Sequence, residues 1–198
     1  MARWFTSDTH LLHAGIMKHE PEMRGVFEDV HDMTAEVIYQ HNRLVKPSDV
    51  VYFLGDVALG PIAESLPMIG MMNGRKFLIP GNHDRVHPLM HKNKPAQVER
   101  WDIEYSKVFR AILPLNYMTT LSHDPRARIL MSHFPYEGDS HGEDRHVQYR
   151  PIDNGLPLVH GHVHSAWRIR GRQMNVGIDA NNLMPTHEDE ICEWLNTL

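Results

Sequence analysis

Three apolar runs in the first half of the chain each end in a short segment that carries an acid or an amide. They are Arg3–Ser7 before Asp8, Val50–Leu54 before Gly55-Asp56, and Lys76–Ile79 before Pro80-Gly81-Asn82. Two stretches with helical spacing of apolar residues separate them, Asp29–Lys46 and Pro61–Met72. Alternation of strand and helix predicts a parallel sheet, and ligands bind at the carboxyl ends of its strands. The polar segments are therefore expected to meet at one edge of a sheet.

The second half of the chain predicts shorter strands. Tyr117–Leu121 and Ala127–Met131 flank a Ser122-His123-Asp124-Pro125 turn, which predicts an antiparallel hairpin. Further strands are expected at Ala111–Leu115, Leu156–Val159, Ala166–Ile169 and Gln173–Ile178, with a helix near Glu188–Asn196. The polar stretch Gly138–Asn154 predicts an irregular loop, and Met90–Trp101 carries no recognisable motif. Both halves together predict an α/β fold.

The composition excludes several classes of protein. The 198 residues carry a formal net charge of −5 and no basic run, which disfavours a nucleic-acid-binding tail. The single cysteine, Cys192, excludes an intramolecular disulfide and a thiolate-rich metal cluster. No signal-peptide pattern is present, and no apolar stretch approaches the ~20 residues that span a bilayer. The sequence therefore predicts a cytoplasmic protein without a membrane partner, folded as a single domain over residues 1–198.

Histidine is unusually frequent, with 16 among the 198 residues. Histidine is the commonest metal ligand in proteins, so the position of each histidine in the sequence indicates whether it could bind a metal ion. Surface positions are predicted for His19, His31, His41, His87, His91, His123, His141 and His187. Several of the others follow predicted strands.

Five segments place ligand-type residues directly after a predicted strand. They are Asp8-Thr9-His10, Gly55-Asp56, Gly81-Asn82-His83-Asp84, Ser132-His133 and Gly161-His162-Val163-His164. Two divalent cations about 3.5–4 Å apart need a bridging carboxylate and nitrogen or oxygen ligands on each ion. Carboxylates, imidazoles and amide oxygens on rigid strand ends provide such ligands. Single segments of this kind also occur in ordinary turns, but the ordered set of five predicts a binuclear hydrolytic site.

The same segments resemble the calcineurin-like metallophosphoesterase family. The family pattern runs D-x-H, G-D-x-x-x-G, G-N-H-D/E, a lone H and G-H-x-H. All five parts are complete here, the second of them over residues 55–60. The motifs span residues 8 to 164, and with the first strand and the tail segment Asn175–Asp179 the resemblance covers most of the chain. It implies a four-layer α/β/β/α sandwich of two mixed sheets flanked by helices.

The resemblance also implies which residues hold metal. One ion would be held by Asp8, His10, Asp56 and His164, and the other by Asp56, Asn82, His133 and His162, with Asp56 bridging both. The cofactor is accordingly expected to be two divalent metal ions. Manganese is favoured, and iron, zinc, nickel and cobalt are alternatives.

A water that bridges two cations loses a proton near neutral pH and can attack phosphorus in line. The resemblance implies that His83 contacts the phosphate and protonates the leaving oxygen, oriented by Asp84, and such an acid contributes ~10²–10⁴-fold in rate. Asn82 and His83 are thus the expected substrate contacts. His13, His160, Arg85, Arg145 and Arg150 are weaker candidates for contacting a phosphate or sugar. Asn175 and Asp179 are expected either to orient ligating imidazoles or to stabilise a turn.

The substrate is less well determined than the chemistry. A small chain without a basic groove favours a small phosphodiester or nucleotide, with 2′,3′- or 3′,5′-cyclic nucleotides as the leading examples. A nuclease or a broad-specificity phosphatase is the alternative within the same chemistry, kept open by Arg145, Arg150, Arg168, Arg170 and Arg172. A non-catalytic metal-dependent binding or scaffold module is the alternative of another class. No oligomeric state is indicated.

Overall fold

Two five-stranded sheets form the framework of the part of the chain that the structure describes, residues 1–91, 94–122 and 124–198 of a computed structural model. The first sheet contains β1 (Arg3–Thr6), β2 (Val50–Phe53), β3 (Arg75–Leu78), β4 (Ala111–Ile112) and β10 (Thr186–His187). Its order is β10-β1-β2-β3-β4, with β10 antiparallel to β1 and the other pairs parallel. Thr6, Phe53 and Leu78 are aligned across the sheet, so the three strands end level with one another.

Along the described part of the chain, five helices lie between the strands of this first sheet. They are α1 (Ile16–His19), α2 (Val30–Leu44), α3 (Ile62–Ile69), α4 (Pro88–His91) and α5 (Pro95–Ser106). The Asp29 carboxylate caps α2 by accepting hydrogen bonds from the backbone of His31 and Asp32. Residues from the sheet and these helices pack in one buried cluster that includes Val37, Val51, Phe53, Leu66, Ile69, Leu78 and Tyr105. Burial of this apolar surface holds the sheet against the helices.

The second sheet contains β5 (Asn116–Thr120), β6 (Arg128–Ser132), β7 (Leu158–His160), β8 (Ile169–Arg170) and β9 (Gln173–Asn175). Its order is β5-β6-β7-β9-β8; β6, β7 and β9 are parallel neighbours, and the outer pairs are antiparallel. A second buried cluster joins the two sheets, with Phe5, Leu54 and Ile79 from the first and Ile129, Met131, Val159 and Met174 from the second. Ile191 and Trp194 of α6 (Glu188–Leu195) belong to the same cluster.

The outer face of the second sheet is the face that points away from that cluster. It carries the residues that alternate along the strands with the cluster residues, namely Leu130, Leu158 and Gln173. The Gln173 side chain accepts a hydrogen bond from the backbone N–H of Tyr136 at 2.6 Å. The loop that follows β6 therefore packs on this face. Within that loop the described structure contains one short 3₁₀ helix, Val147–Tyr149, so the prediction of an irregular segment at Gly138–Asn154 is largely confirmed.

The α/β class with two mixed sheets flanked by helices is confirmed. The predicted first three strands, the helices near residues 29–46 and 61–72, the hairpin and the C-terminal helix are all present. The strand at Ala111 belongs to the first sheet rather than to the second half of the chain, because it pairs in parallel with β3. The sequence missed β10 and α5, and the strand expected at Ala166–Ile169 shrinks to two residues, Ile169–Arg170.

Two predicted surface histidines are in fact buried. The side chains of His41 and His87 are 1% and 0% exposed. The His41 ring packs against Phe53 and lies 3.0 Å from the Asn73 carbonyl oxygen, so helix α2 turns it towards the sheet. The His87 ring lies against Phe134 and Tyr149. The side chain of His91 and the whole of His123 lie outside the described residues.

Candidate metal centre

The seven predicted metal ligands meet where the two sheets present their strand ends. Asp8 and His10 follow β1, and Asp56 and Asn82 follow β2 and β3. The remaining three, His133, His162 and His164, follow β6 and β7 of the second sheet. These seven residues together are called the cage below. Asp56 Oδ2 lies 3.9 Å from His10 Nε2 and 3.5 Å from His133 Nε2, between the two predicted halves of the cage. His133 Nε2 also lies 3.2 Å from Asn82 Oδ1. This central position of Asp56 is the one that a bridging carboxylate requires.

His10 and His133 are each held by one ring nitrogen. His133 Nδ1 lies 2.7 Å from the Leu54 carbonyl oxygen, to which it donates, and this leaves Nε2 as the nitrogen that faces Asp56. His10 Nδ1 lies 3.0 Å from His13 Nδ1, so its Nε2 likewise faces the acids. A hydrogen bond on the outer nitrogen fixes the tautomer and orientation that a metal ligand needs.

His162 and His164 are fixed by carboxylates. His162 Nε2 lies 3.1 Å from Asp139 Oδ2, and His164 Nδ1 lies 2.8 Å from Asp179 Oδ2. Each contact leaves the other ring nitrogen, Nδ1 of His162 and Nε2 of His164, as the atom predicted to bind metal. Burial disfavours the charged form of His164, but the hydrogen bond that its ring donates to Asp179 and the nearby Asp8 carboxylate outweigh this effect and raise the pKa of His164 to about 9.

Buried polar atoms without a hydrogen-bond partner mark the centre of the cage. In the described part of the chain, Asp8 Oδ1 and His10 Nε2 have no such partner, and they lie 3.9 Å apart. Burial, together with the nearby Asp8, raises the pKa of Asp56, although His133 acts in the opposite direction. A divalent cation would satisfy these atoms and stabilise the carboxylates as anions. Two overlapping groups of potential ligands, Asp8-His10-His164 and Asp8-Asp56-His133, have atoms within 4.8 Å of one another. The residues present therefore fit a binuclear centre.

Five of the seven predicted ligands have left-handed backbone conformations. The φ angles are 57° at Asp8, 47° at His10, 52° at Asp56, 71° at His162 and 49° at His164. This region is uncommon outside glycine and costs roughly 1–3 kcal/mol per residue. Surrounding contacts maintain it; for example, the His162 backbone N–H donates to Asp8 Oδ2 at 3.0 Å. The chain is thus bent sharply at the positions that direct side chains to one point.

His83 and Asp84 lie beside the cage with different surroundings. The His83 backbone N–H donates to Asp56 Oδ1 at 2.9 Å, and its exposed side chain lines a cavity next to the ligands. The Asp84 carboxylate is buried and accepts hydrogen bonds from the backbone N–H groups of Gly81, Asp56 and Val57 at 2.8–3.2 Å. These donors lie in the loops that carry the ligands, and the Tyr105 hydroxyl on α5 lies 3.5 Å from Asp84 Oδ1. The expected orientation of the His83 ring by Asp84 stays a prediction.

A cavity of about 270 Å³ opens over the cage. It is lined by the ligands His10, Asp56, Asn82, His162 and His164, by His83, and by His13, Ile16, His19, Glu20, Ser140, His141 and Arg145. Two of the weaker candidates for substrate contact, His13 and Arg145, thus face the site. The other three do not line this cavity.

Each of those three has another environment. The Arg85 guanidinium lies over the Trp101 ring at 5.9 Å. The Arg150 side chain is 4% exposed and donates hydrogen bonds to the carbonyl oxygens of Pro135, Gly138 and Arg145. His160 is buried against Trp167. Their candidacy as substrate contacts stays a prediction.

Three residues of the site were assigned no role from the sequence. Arg24 is fully buried and donates to Asp179 Oδ1 at 2.6 Å and to the Thr9 carbonyl oxygen at 2.9 Å. Asp139 contacts His162, as described above, and Glu20 lines the cavity. Of the two predicted orienting residues, Asp179 holds the His164 ring, whereas Asn175 donates to the His164 carbonyl oxygen and so supports the turn.

Comparison with known proteins agrees with this geometry. The sequence model of the calcineurin-like phosphoesterases matches residues 1–166. The chain belongs to this family. Family membership identifies a metal-dependent phosphoester hydrolase, and it explains why the ligand-bearing segments follow successive strands.

Relatives of similar length extend the match to the whole chain. The Gene 66 proteins of Mycobacterium phages L5 and D29 are 36% and 37% identical to it, over 98% of this chain and 93% and 96% of theirs. The crystal structure of AQ665 from Aquifex aeolicus, a protein of unknown function, superposes with a TM-score of 0.70 at 26% identity, covering 98% of both chains. AQ665 thus shares the fold over 98% of this chain.

Proposed function

We propose that this phosphoesterase hydrolyses small phosphodiesters, with single nucleotides, including 2′,3′- and 3′,5′-cyclic ones, as the leading substrates. The cavity over the cage carries this proposal. At about 270 Å³ it is close to the lower end of the range for small-molecule pockets. It suits one nucleotide better than a protein loop or a duplex. Manganese is the favoured metal, because the cage combines carboxylate, amide and imidazole ligands.

Different residues of the chain would hold the metal ions, contact the phosphate and donate a proton. Two divalent cations held by the seven ligands would supply an activated water and neutralise the phosphoryl oxygens. Asn82 and His83, adjacent on one loop, would contact the phosphate from the side of the cavity. Desolvation of the His83 ring beside the cavity wall lowers its pKa, and an anionic phosphate next to the ring would raise the pKa again. His83 would then donate a proton to the leaving oxygen.

The nuclease alternative loses support from the surroundings of the arginines. Arg168 pairs with Glu190 at 2.6 Å, and Arg172 pairs with Asp153 at 2.9 Å. Because Arg150 is buried as well, the cations that would form a phosphate-backbone groove are mostly engaged. The non-catalytic alternative is disfavoured because the predicted ligands and His83 all gather at one site. No helix in the described part of the chain is long and apolar enough to cross a membrane.

A substrate panel tests the proposed function. Manganese-loaded protein is expected to cleave bis-p-nitrophenyl phosphate and a cyclic nucleotide faster than p-nitrophenyl phosphate, by kcat/KM. His83→Ala should lower diester turnover by ~10²–10⁴-fold, with bound metal unchanged by elemental analysis. His31→Ala, at an exposed histidine on α2, is the matched control and should behave as wild type. Preference for the monoester would reject the diesterase assignment, and full activity of His83→Ala would reject the catalytic acid.

A further inference from the structure

A segment between β6 and β7 closes one side of the cavity. Residues 138–150, called the strap below, contribute Ser140, His141 and Arg145 to the lining. Among the cavity-lining residues in the described part of the chain, Arg145 is the only arginine or lysine. A phosphate ester that enters the cavity would therefore meet one permanent cation besides the metal centre.

The Arg145 guanidinium is held by a buried acid. Its Nε and Nη2 donate to Asp139 Oδ1 at 3.1 and 2.6 Å, and Nη2 also lies 3.3 Å from Ser140 Oγ. Among the described residues no acceptor faces Nη1, and the side chain is 42% exposed. One edge of the guanidinium is thus fixed to the strap, while the other edge remains open to a ligand.

Asp139 connects this arginine to the metal cage. Its side chain is fully buried, and its second oxygen lies 3.1 Å from His162 Nε2 and 2.9 Å from Arg150 Nη2. The two oxygens of this carboxylate thus accept hydrogen bonds from Arg145, Arg150 and His162. The same carboxylate therefore orients a predicted metal ligand and a cavity cation.

Hydrogen bonds from the buried Arg150 side chain hold the strap in place. Arg150 donates to the carbonyl oxygens of Gly138 and Arg145, both at 2.9 Å, and so ties its two ends together. His146 has a left-handed φ of 57°, and its ring lies 5.4 Å from Phe134 and 6.0 Å from His162. The position of Arg145 is consequently set by the fold.

We propose that Arg145 binds an oxygen of the substrate phosphate and that Asp139 is the positioning residue that couples this contact to His162. The assignment deepens the proposed function and rests on it, since it concerns the same cavity. Arg145 is the substrate-binding member of the pair. Asp139 acts through Arg145 and His162 and does not touch the substrate.

Inorganic phosphate is the probe, because its binding can be measured by titration calorimetry without turnover. In manganese-loaded Arg145→Ala the phosphate Kd should rise ~10-fold, the range expected for loss of one charge-assisted hydrogen bond. Its KM for the diester should rise more than its kcat falls, and its metal content should match wild type. In Asp139→Asn, which preserves shape, the phosphate Kd should also rise, and manganese affinity should fall ~10–100-fold.

Arg172→Ala is the matched control, because Arg172 is also paired with an aspartate and is 48% exposed. It should keep wild-type phosphate and metal binding. A wild-type phosphate Kd in Arg145→Ala would overturn the assignment, and wild-type manganese affinity in Asp139→Asn would overturn the coupling. Thermal unfolding of each variant verifies that it is folded. If the wild type binds phosphate in an Arg145-dependent manner yet hydrolyses no ester, the proposed function alone is refuted.

Discussion

Arg24 shows how a buried charge can stabilise a site without entering it. Its guanidinium is fully buried and holds both oxygens of Asp179, at 2.6 and 3.0 Å. Asp179 in turn fixes the His164 ring, and Arg24 also binds the Thr9 carbonyl oxygen. Removing either member of such a pair leaves an uncompensated buried charge, which is strongly destabilising. The pair therefore joins the segment after β1 to the tail of the second sheet.

His41 allows a pH-dependence test away from the metal centre. Burial lowers the pKa of His41 to about 4, although its hydrogen bond to Asn73 acts against this. The unfolded chain therefore binds the proton more tightly, so this contribution to stability is complete above pH ~6.5 and is lost as the pH falls towards 4. A pKa shift from 6.5 to about 4 corresponds to roughly 3 kcal/mol of unfolding free energy.

His41→Gln retains a donor for Asn73 but does not titrate. Urea unfolding of the chelated protein at pH 7.5 and pH 4.5 should show a smaller loss of unfolding free energy in this variant than in wild type. His31→Gln on the same helix, at an exposed position, should retain the wild-type pH dependence. Equal pH dependence in wild type and His41→Gln would contradict the buried neutral histidine.

The sequence predicted the ligand-type residues that the structure brings together, but not two residues that hold them in place. Each ligand type lies in a short motif directly after an apolar run, which is a local signal. Asp139 lies 23 positions from His162 within a polar loop, and Arg24 lies 155 positions from Asp179. Their partners are brought to them only by the tertiary fold. Asp179, which lies 15 positions after His164, was predicted only as one of two possible orienting residues.

At the scale of elements, the loops that carry ligands approach one another through glycines. A Cβ added at Gly161 would overlap Ser7 Oγ and Asp8 Oδ2, and one at Gly81 would overlap the Asp56 carboxylate. The backbone of the loop after β7 therefore packs directly against side chains of the loop after β1. In the same way, the backbone of the loop after β3 packs against a side chain of the loop after β2. This close approach explains why these positions cannot carry a side chain.

Gly161→Ala should displace Asp8 from the cage. The expected result is a fall in manganese affinity of at least ~10-fold, together with a loss of about 1–3 kcal/mol in unfolding free energy from overpacking. Isothermal titration and urea unfolding measure the two effects. Gly142→Ala is the control, since a Cβ there meets no atom within 4 Å. Retention of wild-type affinity by Gly161→Ala would contradict the packing described.

Elements with strong periodicity could be predicted, and those defined by pairing could not. Helix α2 has an apolar face and an Asp29 cap, and both are visible in the sequence. Strand β10 has only two residues, Thr186 and His187, which become a strand because they pair with Phe5 and Trp4. Such an edge strand carries too few residues for a period of two to be recognised.

At the scale of the whole molecule, the metal-free protein concentrates acidic groups in its interior. Asp8, Asp56 and Asp84 are all at most 2% exposed, and burial, with Asp56 nearby, raises the pKa of Asp84 to about 7. Charges buried in this way destabilise the fold unless cations offset them. Bound metal is therefore expected to contribute to global stability as well as to catalysis.

Metal loading should raise the Tm. At free manganese 100-fold above Kd, each site adds about 2.7 kcal/mol, which for a chain of this size corresponds to roughly 5–10 °C. Calorimetry of chelated and manganese-loaded protein measures the difference. Asp56→Asn should lose most of the increase, whereas Asp153→Asn, at a surface pair, should retain it. A Tm that is insensitive to manganese would contradict a binuclear centre at these residues.

The left-handed conformations at Asp8, His10, Asp56, His162 and His164 have a consequence for how metal enters. Contacts within the chain, such as the hydrogen bond from the His162 backbone N–H to Asp8 Oδ2, hold these conformations, so capture of the ions should need little reordering of the backbone. The centre should thus behave as a preorganised receptor whose uptake rate is set by diffusion and ion dehydration. In a zinc finger, by contrast, the ion itself drives folding.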